Sequence, residues 1–131
     1  ESLFITELFE ESDYALLLET ARDTCAEALR QGPLSEAAEN GRHVASYACG
    51  VMAWAALAAQ HDGATVAATW KAFAAFAGDR RDGLSADAFY DFAGDWAGSD
   101  AYGRTMRRFI TADWSATNGR VPVDGLFAGE L

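Results

Sequence analysis

Proline breaks a helix because it lacks a backbone donor and its ring clashes with the preceding turn. This chain has only two prolines, Pro33 and Pro122. The stretch between them is free to be helical, and its apolar residues are spaced accordingly. Val44, Tyr47, Ala48, Val51, Ala55 and Ala58 mark one stripe, and Val66, Trp70, Phe73 and Ala77 a second. Phe89, Phe92 and Trp96 make a third, and Tyr102, Met106, Phe109 and Ile110 a fourth. Upstream, Tyr14, Leu17, Leu18, Ala21, Cys25, Ala28 and Leu29 recur in the same way, after a short apolar segment from Leu3 to Phe9. Such spacing is that of helices burying one face. Ser12, Ser85 and Ser99 stand where N-caps are wanted, with Asp87 and Asp100 in first turns that favour anions. "QGP" (31–33), "HDG" (61–63), "GDRRDG" (78–83) and "GS" (98–99) supply the stops. Gly50 and the many alanines around it would let neighbouring helices approach closely. No segment alternates convincingly enough to be a strand. The reading is all-α, a single compact domain of about six helices with short loops. Acidic helices occupy 1–40, central helices 43–77, and a C-terminal pair 70–131.

At 131 residues the chain can bury a real core. Its 50% apolar and 12% aromatic content excludes a disordered polymer. The formal charge of -10 is uneven: residues 1–40 hold ten acids and two arginines, residues 41–131 ten acids and eight bases. An acidic N-terminal field repels nucleic acid and favours a basic protein partner or cations. The longest apolar run, "VASYACGVMAWAALAA" (44–59), is too short to span a bilayer and carries Ser46 and Gly50, so no membrane segment is expected. Cys25 and Cys49 each fall in an apolar helical pattern, which predicts buried free thiols rather than a disulfide. With no signal peptide visible, the expectation is a cytoplasmic protein, although a chain that begins at Glu1 leaves room for a removed leader.

Two stretches in the C-terminal half look alike, "FAGDRRDGLSADAFYDF" (76–92) and "FITADWSATNGRVPVDGLF" (109–127). Each runs from an aromatic residue through a polar loop with Gly to an aliphatic residue and a helix start. Together they resemble a degenerate EF-hand pair over residues 70–131. In that family the sixth loop position is Gly, the eighth is aliphatic and pairs with its twin, and the twelfth is a bidentate Glu. Leu84 and Val121 match the eighth position. Ala88 and Gly125 stand at the twelfth, so both bidentate carboxylates are missing. The first loop is short, with Asp79 and Asp82 as its remaining ligands. The second has Asp113, Ser115 and Thr117 at alternate positions, then an extra residue around Asn118-Gly119. The resemblance implies a structural pair without a tight metal site. A weak calcium site built from Asp113, Ser115, Thr117 and Asp124 is the alternative.

Other chemistry finds little support. Glu39 with His43, or His61 with Asp62, could touch a metal, but no Glu-x-x-His motif occurs. No nucleophile elbow, phosphate loop or dinucleotide fingerprint is present, so no cofactor is expected. Arg104, Arg107 and Arg108 share a helix face that can bind a phosphate or an acidic partner, or meet the acidic N-terminal helix of the same molecule or of a second copy. Trp114 sits in the loop as a candidate anchor, and an apolar groove edged by Trp96 and Trp114 is a further candidate surface. The favoured reading is a non-enzymatic regulatory, inhibitor or adaptor protein that binds a partner with a basic surface, possible homo-oligomers included. Behind it stand the calcium-responsive protein and a small helical enzyme or apolar-ligand carrier with a pocket near Met52, Trp54 and Trp70.

Overall fold

Thr65 and Ser85 stand just ahead of two helices, and each hydroxyl accepts the backbone N–H three residues on, from Ala68 at 3.0 Å and Ala88 at 3.1 Å. Each bond satisfies one of the donors that a helix start leaves orphaned. The computed structural model describes residues 11–37, 41, 43–61, 64–118, 120–129 and 131, with residues 11–14 and 43–45 described by backbone alone. The Leu3–Phe9 segment lies outside them. Six helices are described: α1 (Glu11–Leu29), α2 (His43–Ala59), α3 (Val66–Gly78), α4 (Ala86–Ala97), α5 (Asp100–Thr111) and α6 (Arg120–Ala128). A single 3-10 turn, Leu34–Glu36, follows Pro33. No strand occurs among the described residues, and no described helix is long and apolar enough to cross a membrane.

Some caps differ from expectation. α1 is already under way at Glu11, so Ser12 is an interior position rather than the cap. Ser99 occupies the N-cap of α5 but makes no side-chain bond to the helix. Its carbonyl instead accepts the Tyr102 N–H at 3.0 Å. Pro122 falls in the first turn of α6, where a missing N–H breaks no helical bond.

The predicted stripes supply part of the core, and Met52, Leu57, Val123 and Leu126, which lie outside those stripes, add to it. Leu29 on α1, Met52 and Leu57 on α2, Met106 and Phe109 on α5, and Val123 and Leu126 on α6 are all fully buried. α2 is the central element, packed by α1, α3 and α6. On its α3 side, Trp54 meets Trp70 edge-on at 5.5 Å between ring centroids, Phe89 at 5.2 Å and Phe73 at 5.8 Å. Rings thus pack against one another around Trp54 and Trp70, with Trp70 and Phe73 5.9 Å apart. At the other side the Tyr102 hydroxyl donates to the Leu126 carbonyl at 3.0 Å and ties α5 to α6. Tyr47 departs from its stripe and is exposed. α2 is apolar on nearly every face, so spacing alone could not fix which side turns inward.

The cysteines are the main correction. Cys25 on α1 and Cys49 on α2 form a disulfide, with their Cα atoms 4.8 Å apart. That distance is inside the range a disulfide needs. Both residues lie on buried stripes, as expected, but the two stripes face one another and the thiols meet. The bond closes a loop across a sequence separation of 24. In the chain-entropy account such a loop contributes about 3 kcal/mol.

Replacing both cysteines with alanine should therefore lower unfolding stability by about 3 kcal/mol, read from the midpoint of a urea titration. A loss below about 0.5 kcal/mol would mean the crosslink barely constrains the unfolded chain. Gly50→Ala tests a separate point. A Cβ there meets nothing within 4 Å, so the variant should gain up to about 1 kcal/mol from helix propensity. A loss would show that Gly50 is needed for close packing after all.

Candidate protein-binding surface

α4 and α5 form a helical hairpin whose turn is Gly98, in the left-handed region at φ 71°, followed by Ser99. The helices come together through glycine. A Cβ on Gly103 would lie 2.7 Å from the Tyr90 carbonyl oxygen, and one on Gly94 3.5 Å from the Asp100 Cα. The first distance is closer than any real contact, so position 103 tolerates no side chain without moving α4. It is these two glycines, rather than Gly50, that allow a close helix approach.

The hairpin presents an open cleft of about 440 Å³ that includes Tyr90, Asp95, Asp100, Arg104 and Arg107, with Gly94 and Gly103 in its lining. Arg104, Arg107 and Arg108 are all exposed on α5. None makes an ion pair among the described residues. Two of them rest on rings instead. The Arg107 guanidinium carbon lies 5.9 Å from the Tyr90 ring centroid, and that of Arg108 5.5 Å from the Trp114 ring. A ring beneath a guanidinium holds it in place while leaving its N–H edge free to bond. Burial pushes the Tyr90 phenol up, and Arg107 beside it works in the opposite direction.

Trp114 supports this face from below. It is only 8% exposed, and its indole N–H donates to the Phe109 carbonyl at 3.2 Å, in the last turn of α5. That carbonyl belongs to the group a helix end leaves without partners. Trp114 is thus a lid and helix cap rather than an exposed anchor. Trp96 works elsewhere. Its N–H donates to Leu57 of α2 at 2.9 Å, and its ring stacks on His61 with centroids 3.8 Å apart, while His61 Nε2 contacts the Trp96 carbonyl. The two tryptophans lie beyond opposite ends of α5, which is about 18 Å long.

Among the described residues the arginines that meet the acidic first helix are Arg120 and Arg30, not the α5 group. Glu19, Asp23 and Glu27 are exposed at one-turn spacing on α1. Asp23 pairs with Arg120, and Glu27 with Arg30 at 3.6 Å. Of the three, Glu19 alone has no ion pair among the described residues, and Leu16, 65% exposed, lies one turn before it. Arg120 opens α6, with its N–H bonded to the Asn118 side chain at 3.0 Å. Asn-Gly signalled a turn, but nothing local pointed across the chain to Asp23.

The four oxygens considered for calcium have separate duties. Asp113 accepts the Ser115 N–H at 2.9 Å, and Thr117 donates to the Trp114 carbonyl at 2.8 Å. The Ser115 hydroxyl and N–H hold the Asp113 carboxyl below the usual carboxylate range. Asp124 lies on the exposed side of α6. Among the described residues no three His, Cys, Asp or Glu side chains gather to hold a metal. Glu39, Asp62 and the His43 side chain fall outside them. Leu84 and Val121, the would-be twin positions, are 65% and 59% exposed, the first in a turn and the second in the first turn of α6.

In the first loop Asp82 is taken by Arg80. The guanidinium donates to both carboxylate oxygens, at 2.9 and 3.1 Å, and also to Asp91 at 2.6 Å. Ser85 adds a bond to Asp82 at 2.6 Å. Arg80 foremost, then Ser85, holds the Asp82 carboxyl down at about 2, against an ordinary 3.8. Comparison with known protein families, curated proteins and solved structures finds no match to this chain.

Gly103→Ala should cost about 2 kcal/mol, because overpacking against backbone outweighs the roughly 1 kcal/mol that alanine gains in a helix. Equal or higher stability in a denaturant titration would contradict the tight approach. In an NMR titration Asp82 should show a midpoint near 2, returning toward 3.8 in Arg80→Ala. Because the folded value is depressed, what Asp82 contributes to stability is present above its ordinary value and lost as pH falls through about 2.

Proposed function

We propose that this chain is a non-enzymatic binding module that docks an acidic segment of another protein on the arginine face of α5. One observation carries the reading. In a chain with 20 acids and 10 lysines and arginines, three neighbouring arginines make no ion pair among the described residues, and two of them are seated on aromatic rings. Arginine on a rigid support is typical of residues that dominate binding energy. Bidentate bonds to carboxylate are its usual use.

The acidic ridge of α1 supports a second reading, a basic partner. Leu16 and Glu19 favour it, whereas the arginines on Asp23 and Glu27 already answer much of the ridge's charge. The buried disulfide supports residence in a compartment that oxidises thiols rather than in the cytoplasm.

The test is fluorescence anisotropy with a labelled glutamate-rich helical peptide at low salt. Arg104→Glu with Arg108→Glu should weaken binding by at least about tenfold, and Glu19→Lys should not. Binding indifferent to the double reversal would end the reading. A lysine-rich peptide that responds to Glu19→Lys alone would promote the second.

A further inference from the structure

The charges in the α4–α5 cleft are sorted along its length. Beside the Gly98–Ser99 turn lie Asp95, near the end of α4, and Asp100, at the start of α5. Farther from the turn come Arg104 and Arg107. Asp91 also lines the cleft, but Arg80 holds it at 2.6 Å. Asp95, Asp100, Arg104 and Arg107 make no ion pair among the described residues. The cleft is thus negative at its turn end and positive beyond. On α5 the change of sign takes four to seven residues, about 6 to 10 Å.

We infer that this cleft receives a bipolar helix of a partner protein, one that carries a carboxylate and a lysine or arginine about one turn apart on the same face. The inference rests on the docking reading above and narrows its partner. A groove between two close-packed helices suits a third helix lying along it. Such a helix displays its charges at the same rise per residue as α5, so a carboxylate over Arg104 and Arg107 puts a base one turn away over Asp95 and Asp100. The base sets the direction of docking. A uniformly acidic segment would satisfy the arginines but crowd two carboxylates at the turn end, and like charges brought together select against it. A polyanion meets the same obstacle, added to a chain charge of -10.

The experiment compares three helical peptides by isothermal titration, with circular dichroism confirming each protein variant's fold. One has glutamate and lysine at i and i+4, one has the same residues at i and i+2, and one is all-acidic. The same-face peptide should bind the wild-type chain about tenfold tighter than either of the others. Asp95→Asn with Asp100→Asn should erase its advantage over the all-acidic peptide and leave binding in place. Arg104→Gln with Arg107→Gln should abolish binding of all three. If the all-acidic peptide binds wild type as well as the same-face peptide, the bipolar inference falls and the docking reading survives. If no peptide responds to the arginine changes, both fall. Displacement of every peptide by millimolar inorganic phosphate, without discrimination among them, would make this a simple anion site and overturn the inference.

Discussion

The missing side chain at position 103 controls the charged side of this molecule. With a Cβ there, the Tyr90 carbonyl would be 2.7 Å away, and α4 and α5 would have to part. Their separation decides whether Arg107 reaches the Tyr90 ring, how far Asp95 stands from Asp100, and how deep the cleft between them is. Tyr102, the residue before Gly103, bonds the Leu126 carbonyl of α6, so the same turn of α5 faces both the cleft and the core. One atom's absence thus couples a surface to the core below it. The other end of α5 is fixed independently, by the Trp114 indole on the Phe109 carbonyl.

The surface chemistry follows from where counter-charges are available. Acids outnumber lysines and arginines in this chain, 20 to 10, so an arginine without a carboxylate needs an explanation. Arg80 holds two carboxylates, and Arg30 and Arg120 hold one each. These pairs are solvent-exposed and add little stability individually. Their consequence is local: they spend the charge of α1 and of the α3–α4 turn within the molecule. On α5, Arg107 and Arg108 lie over rings, and neither they nor Arg104 makes an ion pair among the described residues, so their charge stays available.

Much of this was legible in the residues. Phe73, Phe92, Met106 and Phe109 are buried as their spacing required, and Ser85 caps its helix as its position suggested. Periodicity reports which face of a helix is apolar, and it fails where every face is, as at Tyr47 on α2. It is also silent about which stripes meet. That is why Cys25 and Cys49 read as separate buried thiols, and why the Asp23–Arg120 pair was invisible. The arginine face was legible because i, i+3 and i+4 residues share a side by geometry. The rings that seat two of those arginines come from other segments, and no local pattern announces them. Trp114 illustrates the same limit. A tryptophan in a loop looks exposed until the helix end that needs its N–H is known.

The disulfide has a further consequence for how the chain behaves once it is cut. Cys25 and Cys49 bracket the whole connection between α1 and α2, including the 3-10 turn. Exposed loop segments are where proteases cleave folded domains, and within this connection Ser35 and Glu36 of the 3-10 turn are exposed. A single cut there would leave two polypeptides joined by sulfur and still packed along α1 and α2. Severed backbone and intact fold would coexist, and the nick would stay hidden until a reductant released α1 from the rest.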